Sequence, residues 1–487
     1  MKVSHLFIHL LFPCLVLSAM DDRFTPIDRW YEVYLGDAKV GYVSDTMQKD
    51  GDIIKSRNEF VMQIKRGDVG IEITVEQETK ERIGGELISF TSETKMAGMP
   101  MLKKGRVEGN ELVVYEKQFN AEKESKYPFD PEAGMSWGLR KQVLENGFKA
   151  AGKTYELKVY SPDMGMKAPA KANIICLGKK LIQVGEEKVR GYEVEMELKG
   201  PFGSMKTKSW FDQDCVALRT DSSMGGINIS MIQVPQKKAK KMDVETHEIL
   251  LSSVIPLNAT VPKREKNIFI LETIEGNWAG KLFEGSTQQV ERIDDQSVRV
   301  IVDQSVKKKK AVQERDMKSF LSSTIYLDTD DLLIQKLAKK AKGNARKPRE
   351  IAKKLTKFVY GHVSGKNYGV GFATASEVAR NKEGDCTEHA VLLAALGRVL
   401  SIPTRVATGL VYADEFEGEK NVLVYHMWTQ FYIDGEWVDL DPALGLVKCQ
   451  SDRITFSVDS MEDDLMASMI PLMELINNLK VTLQPVE

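Results

Sequence analysis

Residues Lys382–Leu400 read KEGDCTEHAVLLAALGRVL and place one thiol, Cys386, at the polar mouth of a run that is apolar from Ala390 onward. A cysteine buried in apolar surroundings is an inert small hydrophobe, because reactivity follows thiolate character. The surroundings here are those of a helix start. Gly384 can end what precedes it, Asp385 is a favoured N-cap, and Glu388 stands where a capping-box partner reaches back. A thiol in that first turn meets unpaired backbone N–H groups and the positive end of the helix dipole, which favour an anion. A helix apolar on all faces is buried, so its tip is held rigidly. A base beside it would make Cys386 a nucleophile.

Strand register supplies the base. Downstream, VLVYHMWTQFYI and EWVDLD flank Asp434-Gly435, the signature of a two-residue hairpin turn. Counting outward sets Ile433 opposite Glu436, Tyr432 opposite Trp437, Gln430 opposite Asp439 and Trp428 opposite Asp441, with His426 facing Ala443. Asp441 is then the diagonal neighbour of His426, ~7–8 Å away at the backbone, and Asp439 lies one step further. A thiolate, an imidazole and a carboxylate that steadies the imidazole form a nucleophile, base and orienter. His389, three residues beyond Cys386, has no fixed orienter as a base and too few companions as a metal ligand, so it is expected to shape the site. Glu388 is expected to cap the helix, and Asp439 to make a structural hydrogen bond.

The elements that must position these groups are legible around them. Asp328–Asp331 can cap a helix through LLIQKLAKKAKG, Pro348 opens another with Ile351, Leu355, Phe358 and Val359 on one face, and Thr374 with Glu377 starts a third. Beyond Pro403 the pattern is strand, so residues 321–487 read as an α+β domain. From Trp30 to about Leu250 short alternating segments are punctuated by Gly-rich turns, which predicts a β-rich domain over 22–250: an antiparallel sheet, sandwich or half-barrel. Residues 251–320 read as a strand-rich connector or small domain. The chain is therefore multidomain, as 487 residues lead one to expect.

At the N-terminus, Lys2, the apolar stretch Leu6–Val16 and small residues before MDDR predict a signal peptide over 1–19, hence export to a periplasmic or extracellular space. No later stretch is long and apolar enough for a transmembrane span. A net charge of −2 argues against a nucleic-acid partner, and the lysine-rich stretches at 236–242 and 307–310 read as solvated faces. Four cysteines lie beyond the signal segment, too few for a disulfide framework. If Cys386 is free, one of Cys176, Cys215 and Cys449 must be free as well.

The order GDCTEHA, then HMW with a D-G-x-W turn, then LDP resembles the transglutaminase-like superfamily, whose fold is a papain-like thiol-enzyme core. The nearest likeness is to bacterial transglutaminase-like domain proteins with exported N-terminal regions. It covers roughly Asp328 to Pro442. The resemblance implies Cys386 as nucleophile, His426 as general base and then acid, and Asp441 as orienter, with Trp428 and Trp437 at aromatic positions that pack near the site and exclude water. One departure stands out: no Trp lies between Trp278 and Trp428, whereas crosslinking members use an upstream Trp to support the oxyanion. Tyr368 lies in that region.

These residues predict acyl transfer at a peptide-like amide through a thioester, on a peptide or protein substrate and with no metal or organic cofactor. The missing Trp favours water over an amine as acceptor. The competing expectation is a binding or scaffold protein without turnover, whose β-rich domain holds a lipid, peptide or envelope polymer.

Overall fold

The computed structural model describes residues 24–486 apart from 67–68, 97–98, 119–120, 163–164, 201–202, 225–226, 243–253, 275–277, 279–281, 306–313, 367–372, 462–474 and 476–477. The chain divides into two compact units, 1–248 and 249–487.

The first unit is built on one antiparallel sheet of fourteen strands: β1 (Ile27–Leu35), β2 (Ala38–Asp50), β3 (Ile53–Arg66), β4 (Val69–Arg82), β5 (Leu87–Met96), β6 (Met99–Glu108), β7 (Glu111–Gln118), β8 (Ala121–Pro128), β9 (Thr154–Ser161), β10 (Gly165–Val184), β11 (Glu187–Gly200), β12 (Gly203–Phe211), β13 (Ala217–Met224) and β14 (Ile227–Val234). The order runs from β8 back to β1, then from β14 back to β9, and the two end strands do not pair with each other. Of the expected alternatives this is the open antiparallel sheet. Alternation along the strands buries one face, as in β1, where Ile27, Tyr31, Val33 and Leu35 are enclosed.

Among the described residues two helices accompany this sheet, α1 (Ser136–Glu145) and the one-turn α2 (Gln236–Ala239). The alternating pattern gave no sign of α1. Its N-terminus has no cap in its own sequence, since Met135 stands at the N-cap position. Glu81 of β4 performs that service from 54 residues away. Its carboxylate accepts from the backbone N–H groups of Met135 at 3.2 Å, Trp137 at 2.6 Å and Gly138 at 2.8 Å.

Among its described residues the second unit contains two larger sheets, one short two-stranded parallel ladder and a helical cluster. The strands β15 (Val254–Pro256), β16 (Lys266–Thr273), β17 (Gln288–Arg292) and β18 (Ser297–Asp303) are followed by the short helix α3 (Glu314–Ser319), α4 (Leu332–Lys342) and α5 (Pro348–His362). Next come β19 (Gly365–Lys366), α6 (Ala375–Asn381), β20 (Glu383–Gly384) and α7 (Cys386–Val399). The chain ends in β21 (Thr404–Phe416), β22 (Glu419–Ile433), β23 (Glu436–Leu440), β24 (Arg453–Asp459) and β25 (Leu479–Gln484). One sheet has the order β15-β22-β21-β24, with β23 also on β22, and the other has the order β17-β18-β16-β25. Most of the stretch expected as a connector thus shares a sheet with the C-terminal strand. Phe269, Leu271 and Val300 of the second sheet pack with Leu410, Leu423 and Ile454 of the first.

Candidate active site

The starts of α4, α5, α6 and α7 behave as their sequences predict. Asp331 caps α4, Pro348 opens α5, and Thr374 with Glu377 closes a capping box on α6. At α7 the Asp385 side chain accepts from the Thr387 N–H at 2.8 Å, and Glu388 accepts from the Asp385 N–H at 2.9 Å. Gly384 has a φ of +149°, and a Cβ there would stand 2.3 Å from that of Glu388, so only glycine lets the chain enter the helix this way. Burial pushes the Glu388 carboxyl up to about 8, with Asp385 adding to the rise. The body of α7 is locked onto the sheet. Thr404 and Thr429 donate hydroxyls to the carbonyls of Ala394 and Ala390, and Gly397 leaves room for Thr404 and Phe431. Cys386, half-buried, sits at the first helical position of this fixed cylinder.

The hairpin register is the one read from the turn: Ile433–Glu436, Tyr432–Trp437 and Gln430–Asp439 are ladder partners, with Asp434 and Gly435 both at positive φ. The ladder stops at Thr429–Leu440. The expected pairs Trp428–Asp441 and His426–Ala443 are therefore absent, because Asp441 folds back to exchange both backbone hydrogen bonds with Leu446 and Pro442 has no N–H to donate. The turn still delivers the carboxylate to His426, with Asp441 Oδ2 2.9 Å from His426 Nε2. The same ring is hydrogen-bonded to the Cys386 side chain. With Nε2–H given to Asp441, Nδ1 is the nitrogen left for sulfur.

Charge follows geometry. Burial by itself would lower the imidazolium, but Asp441 and Cys386 outweigh it and lift His426 to about 10. Asp441 is fully buried, which alone would raise its carboxyl, yet His426 and Arg453 hold it well below the usual carboxylate range. It also accepts from the Leu444 N–H at 3.2 Å. The arrangement is a continuous chain of thiol, imidazole, carboxylate and guanidinium. Its order suits nucleophilic attack on a carbonyl.

The sequence of residues 335–442 matches the family model of the Transglutaminase-like superfamily. This segment is similar to a transglutaminase-like core. No curated protein matches the chain. Among solved structures, a beta-barrel-like protein of a domain of unknown function from Brucella abortus is similar over 44% of this chain and 97% of its own, at 11% identity and a TM-score of 0.36. A candidate cysteine protease from Cytophaga hutchinsonii is similar over 45% of this chain and 81% of its own, at 18% identity and a TM-score of 0.28. A candidate protease from Parabacteroides distasonis covers 71% and 64%, at 10% identity and a TM-score of 0.18.

Within the transglutaminase-like core, Trp428 is buried beside the imidazole, 6.4 Å between ring centres, and donates its indole N–H to Asp439 Oδ1 at 2.7 Å. Asp439 also accepts from Gln430 at 2.7 Å, so it is occupied by structural hydrogen bonds. Trp437 stands with Phe320 and Tyr432, and the Arg405 guanidinium lies 4.0 Å from its ring centre. His389 Nδ1 lies 2.6 Å from the Asp385 carbonyl, to which it donates, and burial lowers its imidazolium. That places His389 as a brace of the helix tip. Tyr368 lies outside the described residues. Cys176 and Cys449 are buried free thiols. Among the described residues no three His, Cys, Asp or Glu side chains are grouped to hold a metal.

Sequence reasoning missed Arg453, the first residue of β24 and 2% exposed. Nothing in SDRITFSV distinguishes it from a surface arginine at a strand start. Its burial opposite a carboxylate follows from the pairing of β24 with β21, a contact that periodicity does not reveal.

Proposed function

We propose that the protein is an exported thiol enzyme that transfers the acyl group of a peptide-like amide to water. The hydrogen-bonded run from Cys386 through His426 to Asp441 carries the reading. The Cys386 thiolate attacks the amide carbon and forms a C–S bond. The oxyanion collapses, the C–N bond breaks, and the His426 imidazolium gives its Nδ1 proton to the departing amine. Asp441 holds the ring throughout. Water then attacks the thioester as His426 accepts its proton. The C–S bond breaks, leaving a carboxylic acid and the thiolate. The Cys386 backbone N–H, in the first turn where a helix's own ladder supplies no acceptor, is one oxyanion donor in this scheme. An amine in place of water would give crosslinking or amidation by the same steps. Export rests on the N-terminal segment, and the β-rich unit is assigned no ligand.

The test is iodoacetamide labelling of Cys386 against pH in the wild type and in His426→Ala. A paired thiolate labels readily at pH 6 and loses roughly tenfold or more of that rate without the imidazole. Equal, slow labelling of both at pH 6 would sink the reading.

A further inference from the structure

The Asp441 carboxylate has more than one cation beside it. Arg453 Nη1 lies 3.1 Å from Asp441 Oδ2, the same oxygen that takes the His426 N–H. One imidazole N–H and one guanidinium N–H fill both lone pairs of that oxygen, and the Leu444 N–H occupies Oδ1. Arg453 is itself held from two other directions. Its Nε lies 3.2 Å from Asp452 Oδ1, and its guanidinium carbon lies 5.3 Å from the ring centre of Trp428.

We propose that Arg453 is a positioning residue of this centre: it fixes Asp441 and cancels the net charge of the buried thiolate, imidazolium and carboxylate. The inference rests on reading the centre as a thiol active site. Cys386⁻, His426⁺ and Asp441⁻ sum to −1, a charge that is costly to hold away from water. With Arg453⁺ the sum is zero. The other titratable or charged groups facing the cluster are Asp385 and His389 at the tip of α7, Asp439 of β23, Asp452, and Cys449, whose thiol burial pushes well up so that it stays uncharged. None of these places a lasting positive charge on Asp441, whereas Arg453 does.

Without Arg453 the cluster favours an extra proton. The acid limb of Cys386 labelling in Arg453→Gln is therefore expected to move up by roughly one pH unit, with the His426 titration, read by imidazole NMR, moving the same way. Arg453→Lys, which keeps the charge, should return the limb to its wild-type position. A merely structural arginine would alter unfolding temperature and labelling amplitude but leave the limb in place, and that result in folded Arg453→Gln overturns the inference. Failure of the active-site reading is distinguishable, because the wild type itself would then label independently of His426. Should Arg453→Gln not fold, citrulline at 453 decides, since it preserves the shape and the stack on Trp428 while removing the charge. Cys449 is a natural junction for joining a synthetic 449–487 segment. An unmoved limb there overturns the proposal, and an alkaline shift supports it.

Discussion

Both units bury polar side chains in their sheets, and one rung of the first contrasts with the network around His426 in the second. In the first, one rung of inward-facing residues crosses four strands: Asp45 pairs with Asn58, Asn58 with Gln77, and Gln77 with Ser92. All four are almost wholly enclosed, yet Asp45 Oδ1, both amide atoms of Asn58 and Gln77 Oε1 have no hydrogen-bond partner among the described residues. In the second, Arg405 donates to Gln430, Gln430 and Trp428 donate to Asp439, and His426 and Arg453 donate to Asp441. Arg453 Nη2 and the Tyr425 hydroxyl are exceptions there, with no partner among the described residues. A satisfied buried network specifies one arrangement, whereas each unsatisfied group costs about 1–3 kcal/mol. The better satisfied network includes His426, the ring beside Cys386. The rung lies in a sheet whose register is already set by alternation and short turns.

The comparison breaks most sharply through activity. Cys386→Ala should abolish amine release from peptide amides, and His426→Ala should lower kcat/KM on the order of 10³-fold, while Asn58→Leu in the other unit leaves it unchanged. Next in size is stability. Asp441→Ala strands a buried Arg453 and should cost about 3–5 kcal/mol in urea unfolding. The same measurement on Asn58→Leu should show at most about 1 kcal/mol of loss, or a gain, because no bond is broken. A large loss there would show that the rung is a closed network after all.

A pH series sharpens the contrast further. His426 rises from 6.5 unfolded to about 10 folded, so the stability it contributes is complete below pH 6.5 and lost as pH climbs through 10. Asp441 is depressed from 3.8, so its contribution is complete above that value and lost as the pH falls through its lower folded one. The protection of α7 amides, exchange rates divided into their intrinsic values, should therefore be greatest between about pH 5 and 6.5 and fall toward pH 10, and His426→Ala should flatten that alkaline fall. The smallest effect belongs to the rim. Arg349 bridges Asp434 and Glu436 beside the hairpin turn, and its replacement by Ala should cost no more than about 1 kcal/mol.

Much of the site was legible because its parts are local. The Asp385–Glu388 box is a three-residue relationship, and the Asp434-Gly435 turn dictates five ladder pairs around it. Extrapolating that ladder by one more pair went wrong at Asp441, where a proline follows and the chain turns back to Leu446. The helix α1 escaped notice for a related reason. Its cap comes from Glu81, and nothing within its own ten residues announces a start.

By itself, then, the sequence determined where a thiol meets a helix tip, which strand carries the histidine, and which acid follows the turn. Each depends on hydrogen bonds or side-chain periods spanning a few residues. Only the tertiary structure decided that Glu81 would cap α1, that Arg453 would face Asp441 instead of solvent, and that Asp45, Asn58 and Gln77 would share one buried rung. Those outcomes depend on which distant segments share a buried space, and there a polar group's worth is set by the partners it meets, not by its neighbours in sequence.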